Sequence, residues 1–408
     1  MENRFRVAIG KLGILNMEYP RLRQNIQITP FTHQKQRGFV LHDSIREGKT
    51  LFVSEGAALL LPLLNGKYHA DDIQKIIANQ TGQSIPKQDV ETFIRILEEN
   101  FFLDSPAYQQ FLKDMQQEYK KSPARPSLMA GNGYPAKKAE LKKYLDEIFA
   151  GAKLSKNVKP PREIYGAVIP HIDIQRGGKN YGQIYSILKE YPAADTYIIL
   201  GVNHHYLTSN PFIFTDRAYQ TPLGKLEIDH DLLENLKQQL GWDIFEGELA
   251  HRGEHSVEFP ALFLSYIYPK LNFKILPILC NFHEVEERVN ALINGLRYYM
   301  SNSGKKIFLI ASVDFSHIGP QFGWQKRVEE SDAKKVEEDD RNTLALMGNN
   351  EPESFYNDIM KDHNSRNIDA LGAGYVFLNV LKDRKGQLIQ YDQAFHPINT
   401  VTFASVLF

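Results

Sequence analysis

The sequence predicts an α/β protein: a large domain with a mostly parallel central sheet, preceded by a small α+β domain of winged-helix type. Three observations predict it. Beyond residue 135, short Val/Ile-rich runs alternate with amphipathic helical stretches, the pattern of strands buried on both faces. The stretch Lys120-Lys121-Ser122-Pro123-Ala124-Arg125-Pro126, closely followed by Gly131-Asn132-Gly133, is a Pro/Gly-rich basic break that marks a domain edge. Ahead of that break, two β-prone stretches are followed by three helical patterns. The expected division is residues 1–120, a linker and lead-in segment over 121–135, and a main domain over 128–408.

In the first part, Gly38-Phe39-Val40-Leu41-His42 and Thr50-Leu51-Phe52-Val53-Ser54 flank a polar turn containing Gly48 and read as a hairpin. Helices are expected over Glu55–Leu64, Asp71–Gln80 and Gln88–Glu99, with Phe101-Phe102-Leu103 as a short closing strand. In the second part the expected strands are Tyr165–Pro170, Thr196–Val202, Phe212–Thr215, Phe273–Leu279, Ile307–Val313 and Thr400–Phe408. The expected helices are Ala136–Phe149, Tyr181–Glu190, Leu232–Leu240, Phe259–Tyr268, Val285–Met300, Ser331–Met347 and Glu353–Lys361. Gly177-Gly178 and Gly372-Ala373-Gly374 read as turn or close-packing glycines.

Composition narrows the function classes. A chain of 408 residues with 42% hydrophobic and 24% charged residues is globular rather than disordered. Its formal net charge of -1 supplies no global attraction for nucleic acid or an anionic membrane. Lys/Arg and Asp/Glu balance on either side of the break, 17 against 14 in residues 1–125 and 31 against 35 after them. The single cysteine, Cys280, excludes an intrachain disulfide framework and a Cys-cluster metal site. The N-terminal residues lack a signal-peptide pattern. The longest strongly apolar run, residues 57–64, falls far short of the ~20 residues that span a bilayer. A cytoplasmic protein with no membrane or nucleic-acid partner is expected.

The chemistry is concentrated in histidines that directly follow strands. Ala167-Val168-Ile169-Pro170 runs into His171. Residues 197–203 run into His204 and His205, and residues 308–313 into Asp314, Ser316 and His317. In an open α/β sheet the ligand crevice lies beyond the carboxyl ends of the strands, so these groups are expected to converge. Neutral imidazoles with an oxygen ligand suit Fe(II), Zn(II) or Mn(II), and two His with one carboxylate suit non-haem iron. The segment His251-Arg252-Gly253-Glu254-His255-Ser256-Val257-Glu258 adds ionisable groups, and His255 is a candidate to move protons. Cys280 closes an expected strand and reads either as a small buried hydrophobe or as a ligand or nucleophile. No GxSxG elbow, P-loop or GxGxxG is present.

These segments carry a resemblance. Met129-Ala130-Gly131-Asn132-Gly133-Tyr134-Pro135, Ile169-Pro170-His171, Leu200-Gly201-Val202-Asn203-His204-His205 and Tyr219-Gln220-Thr221-Pro222-Leu223-Gly224 are followed by three more segments. These are Glu254-His255-Ser256-Val257-Glu258, Ser312-Val313-Asp314-Phe315-Ser316-His317 and Asp339-Asp340-Arg341. In this order they resemble the Memo family, whose prokaryotic members are called AmmeMemoRadiSam system protein B. That family is similar in fold to class III extradiol dioxygenases, which hold Fe(II) with two His and a Glu. The resemblance implies that His171 and His204 are metal ligands. It places Ser316 at a third ligand position, where animal Memo proteins have cysteine. It implies an acid/base role for His255, with Asp314 and His317 beside them as catalytic groups. Iron is the implied metal, with copper or zinc as alternatives. A neutral hydroxyl at Ser316 binds a divalent metal more weakly than a thiolate or carboxylate, and Asp314 stands two residues away to replace it. The loop Asn364-Ser365-Arg366-Asn367-Ile368-Asp369 also lacks the cysteine found in many members.

Residues 38–104 resemble the PqqD-like winged helix, a module that binds leader peptides in other proteins. The two resemblances together imply a dioxygenase-like oxidoreductase acting with radical-SAM and AMMECR-type partners, with a peptide ligand for the first domain. The alternative expectation is a binding or adaptor protein whose pocket recognises a ligand without turnover.

Overall fold

The computed structural model describes residues 18–33, 36–43, 45–46, 49–154, 158–204, 208–282 and 284–408. The polar turn at Gly48, the N-terminal segment and His205 lie outside the described residues. The chain forms two compact units, 1–121 and 122–408.

The first unit is α+β. Strands β1 (Ile26–His33), β2 (Gln36–Asp43) and β3 (Thr50–Ser54) form an antiparallel sheet in that order. Strand β1 was not expected: Pro30 breaks the short alternation Ile26-Gln27-Ile28-Thr29, and pairing with β2 supplies the order that propensity does not. The stretch expected as one helix over 55–64 is a helical turn, Glu55–Ala58, and a separate 3-10 turn, Leu61–Leu63. Pro62 has no N–H to continue an α-helical ladder. Helices α1 (Ala70–Thr81), α2 (Lys87–Glu99) and α3 (Pro106–Lys121) follow, the last of them unexpected. Ile73 and Ile77 of α1 and Val90 and Leu97 of α2 bury one helical face each against Leu41 and Val53 of the sheet. Residues 101–103 do not form a closing strand. Phe101 takes a left-handed conformation and Leu103 makes only an isolated bridge to Leu22.

The second unit is built on an eight-stranded mixed sheet. Its strands are β5 (Gly166–Ile169), β6 (Thr196–Val202), β7 (Phe212–Phe214), β10 (Lys274–Cys280), β11 (Ile307–Ser312), β12 (His317–Ile318), β13 (Gln387–Ala394) and β14 (Thr400–Leu407). The order is β12-β14-β5-β11-β6-β10-β7, with β13 paired to the other side of β14. A small sheet of β4 (Ala124–Arg125), β8 (Ala218–Thr221) and β9 (Gly224–Leu226) lies apart from it. The expectation of a mostly parallel sheet holds only for the centre. β5, β11, β6 and β10 run parallel, whereas β14, β12, β13 and β7 pair antiparallel at the flanks. The central strands are buried along nearly their whole length, which is why they read as continuous apolar runs.

Helices cover both faces. Helix α4 (Lys138–Gly151) packs on α5 (Ile174–Leu188), and α5 packs on β13 and β14. Gly177-Gly178 lie inside α5, so the helix begins seven residues before the expected Tyr181. Helices α6 (His230–Leu240), α7 (His255–Ile267) and α8 (Glu287–Asn302) are followed by α9 (Glu330–Asn349), α10 (Pro352–Met360) and α11 (Ala370–Val380). Helix α11 was hidden by its glycines. They are close-packing residues: a Cβ on Gly372 would stand 3.3 Å from Phe282, and one on Gly374 3.0 Å from Phe355. No helix among the described residues is long and apolar enough to cross a membrane.

Candidate metal centre

Three neighbouring parallel strands deliver the site. In the sheet β5 pairs with β11 and β11 with β6, and their carboxyl ends are Ile169, Ser312 and Val202. His171, Asp314 and His204 each stand two residues beyond those ends, so the same offset from adjacent strands brings them to one crevice. His255 arrives from a different direction, as the first residue of α7. Gly201 lets that helix approach: a Cβ there would lie 2.6 Å from the Ser256 hydroxyl oxygen. The Ser256 hydroxyl accepts from Val202 N at 3.0 Å, tying the start of α7 to the end of β6.

The three imidazoles meet. Ring centroids of His171 and His204 are 5.2 Å apart at 85°, those of His171 and His255 5.3 Å apart at 87°, and those of His204 and His255 5.1 Å apart and nearly stacked at 17°. One nitrogen from each lies within 4.8 Å of the others. A second group, His171 with Asp314 and Asp369, satisfies the same limit, so His171 is common to both.

The tautomers are fixed by what the other ring nitrogens do. His171 Nδ1–H donates to the Ser312 carbonyl at 2.9 Å. His204 Nδ1–H donates to the buried Glu254 carboxylate, at 3.0 and 3.1 Å from its two oxygens. Both arrangements turn Nε2 inward, where a metal that displaces its proton would find the lone pair, the pattern seen around metal-bound histidines. Glu254 also accepts from Ser256 N at 2.9 Å as the N-cap of α7, and lies 3.5 Å from His255 Nδ1. It is therefore the group that joins the two imidazoles. Its own carbonyl is held at 2.8 Å by Arg125 Nη2, while Arg125 Nη1 pairs with the buried Glu258.

The carboxylates are pinned on one side only. Asp314 Oδ1 accepts from His171 N at 3.0 Å and Ile172 N at 3.2 Å, leaving Oδ2 3.8 Å from His171 Nε2. Asp369 Oδ1 accepts from Asp314 N at 2.7 Å. Asp369 Oδ2 is buried and stands 3.1 Å from His171 Nε2, within ion-pair distance. Burial opposes the charged form of His171, yet the Asp369 and Asp314 charges outweigh it and raise its pKa to about 10. Burial likewise opposes charge on His204, and Glu254 raises its pKa nonetheless. Burial raises Asp314, whereas at Asp369 the opposing effect of burial is overcome by His171 and the pKa falls.

Two expected residues stand elsewhere. Ser316, expected as a third ligand, is fully buried, and its hydroxyl donates to Asp340 Oδ1 at 2.6 Å in a separate polar network. His317 lies beside the carboxylates rather than among the three imidazoles. Its Nδ1–H donates to the Phe315 and Asn367 carbonyls, and its Nε2 is 3.9 Å from Asp369 Oδ2. Cys280 is a buried hydrophobe: it packs on Gly372, and burial pushes its thiol pKa up. His251 of the ionisable segment is structural. Its Nε2–H donates to the Ile213 carbonyl, its Nδ1 meets the Tyr219 hydroxyl, and burial lowers its pKa to about 4.

The sequence reading missed Glu254 and Asp369 as parts of the site. Glu254 directly precedes His255, at the N-cap of an apolar helix. Asp369 likewise directly precedes the apolar run 370–380; the start signal was present but the helix was not recognised. The donor set fits a divalent metal. Two imidazoles have their Nδ1 protons committed, a third stands alongside, and a buried carboxylate oxygen lies 3.1 Å from His171 Nε2.

A family model for Memo-like proteins matches residues 125–406. A MEMO1 family protein of Aquifex aeolicus is 29% identical over 376 residues, covering 91% of this chain and 96% of that protein, so the similarity extends into the first unit. A MEMO1 family protein of Methanosarcina barkeri is 36% identical over 198 residues, 48% of this chain and 69% of that one. One of Thermus thermophilus is 26% identical over 321 residues, 79% of this chain and 92% of that one. With the family model spanning nearly the whole second unit, the chain belongs to the Memo family.

Proposed function

We propose that this protein is a metal-dependent oxidoreductase of dioxygenase-like fold, with a divalent ion, iron foremost and copper or zinc as alternatives, held at His171 Nε2. The reading rests on one observation: His171 belongs both to the imidazole group with His204 and His255 and to the carboxylate group with Asp314 and Asp369. His204 and these neighbours would supply the remaining donors to an ion at that nitrogen. Mixed nitrogen and oxygen donors with positions left open suit non-haem iron. When bound, such a metal supplies redox or oxygen chemistry at its open positions.

The chain's own residues do the rest. Ser312 and Glu254 orient the two ligand rings through Nδ1. Asp314 fixes the main chain at His171 and Ile172. His255, anchored beside Glu254 and next to the ligand rings, is placed to hold or move a proton on substrate. His317 faces Asp369 and is the second candidate for proton movement. Acting with a radical-SAM enzyme and an AMMECR-type protein is part of the same proposal.

A second reading is a binding or adaptor protein in which the first unit, of winged-helix type, recruits a peptide or protein. What supports it is the outer face of the first sheet, where Phe31 and Phe52 are 42% and 43% exposed and touch edge to face at 5.8 Å. Metal analysis after anaerobic purification tests the first reading. Near-stoichiometric metal in the wild type, lost in His171→Ala, supports it; equally little metal in both supports the second.

A further inference from the structure

We propose that Asp340 is a positioning residue for the metal centre: a buried carboxylate that clamps together the two loops carrying Asp314, His317 and Asp369. The inference rests on the metal reading above and adds a residue that contacts none of the proposed ligands.

Asp340 lies on α9 and is fully buried. Its Oδ1 accepts from the Ser316 hydroxyl at 2.6 Å and from Arg366 Nη1 at 2.7 Å. Its Oδ2 accepts from the Thr402 hydroxyl at 2.5 Å and from the Tyr391 hydroxyl at 3.0 Å. Four donors on one desolvated carboxylate satisfy it, and such a network has a single arrangement.

The donors come from the places that matter. Ser316 lies between Asp314 and His317 on the loop after β11, and its own N donates to the Thr402 hydroxyl at 2.8 Å. Arg366 lies three residues before Asp369, and its carbonyl accepts from His317 N at 2.7 Å. Two residues before Arg366, Asn364 closes the second loop by accepting from Ile368 N at 2.8 Å and donating to Ile368 O at 2.9 Å. One carboxylate thus fixes both loops, and through them the point where Asp314 and Asp369 each present an oxygen to His171. This is the role of Ser316: it anchors its loop to Asp340.

An asparagine at 340 keeps the shape but turns an NH2 group toward groups that themselves donate, so part of the clamp opens. The test is Co(II) titration of the full-length protein, followed by visible absorption well below the unfolding temperature. The proteins compared are the wild type, Asp340→Asn, Ser316→Ala and Leu296→Ala. Leu296 is buried in α8 next to Arg297, which bonds the Asn379 carbonyl at the end of α11 opposite Asp369, and its truncation supplies a destabilised control. Asp340→Asn is expected to bind Co(II) on the order of 10- to 100-fold more weakly, the range for losing an outer-shell partner, with altered band intensities. Ser316→Ala should move affinity and spectrum the same way by less, and Leu296→Ala should change neither.

Wild-type affinity and spectrum in Asp340→Asn would overturn the proposal. So would an equal loss of affinity in Leu296→Ala, which would make the effect one of stability alone. Should Asp340→Asn not fold, Ser316→Ala decides by the same criteria. A wild type that binds no Co(II) sinks the metal reading, and the clamp's role with it.

Discussion

Glu254 lies between His204 and His255, donating neither ring a proton but accepting from His204 Nδ1–H at 3.0 Å and standing 3.5 Å from His255 Nδ1. Because it is fully buried and caps α7, the same carboxylate sets the tautomer of one ring and the place of the other. Replacing it with glutamine removes the charge and keeps the size. Glu254→Gln is expected to weaken divalent-metal binding by roughly 10- to 100-fold. Isothermal titration with Fe(II) or Co(II) under nitrogen checks this; unchanged affinity would mean that the carboxylate does not orient a ligand.

Asp369 and Ser316 divide two accounts of the anionic donor. Asp369 Oδ2 stands 3.1 Å from His171 Nε2, whereas the Ser316 hydroxyl is engaged with Asp340. Asp369→Asn should therefore cost much more metal affinity than Ser316→Ala. Equilibrium dialysis of the two variants gives the ranking, and the reverse order contradicts it.

The raised pKa of His171 has a signed consequence for the metal-free protein. A histidine whose folded pKa lies above its unfolded value contributes stability that is complete below the unfolded pKa and is lost as pH rises through the folded one. For His171 that window runs from about 6.5 to about 10. Its contribution to the unfolding temperature of the metal-free protein should fall across this range, and His171→Asn should flatten that part of the profile. Metal binding competes with the same proton, so affinity should rise with pH over the window. Thermal melts of both proteins at a series of pH values measure the first effect, and titrations with metal the second.

Arg125 and Glu258 form a buried pair, both side chains almost wholly inaccessible. Arg125→Met alone strands the Glu258 charge and should cost about 3–5 kcal/mol. Removing both charges in Arg125→Met/Glu258→Gln should recover part of that loss. Chemical denaturation of the three proteins decides it, and a double variant no more stable than the single one would contradict the pairing argument.

The legibility of the fold follows burial. β6, β10 and β11 were read to within about a residue because a strand buried on both faces is a continuous apolar run with polar ends. β13, with half-exposed positions such as Gln387, Gln390 and Asp392, has no such signature, and its place is set by pairing with β14. Helix α11 was lost because glycine weakens helix propensity, while here the small residues are demanded by Phe282 and Phe355 packed against them. His171, His204 and Asp314 were legible as a site because each follows an apolar run directly. Asp369 was not, since the same logic required recognising the helix after it. The orientation of Ser316 was beyond any local pattern: it depends on Asp340, Arg366 and Thr402, brought from three distant segments.

The most direct test of the account is the anomalous difference map of crystals grown anaerobically with Fe(II), recorded at the iron absorption edge. The account predicts one strong peak bonded to His171 Nε2, with His204 Nε2 and a carboxylate oxygen among its neighbours. A peak at any other place, or none in fully reduced crystals, would contradict it.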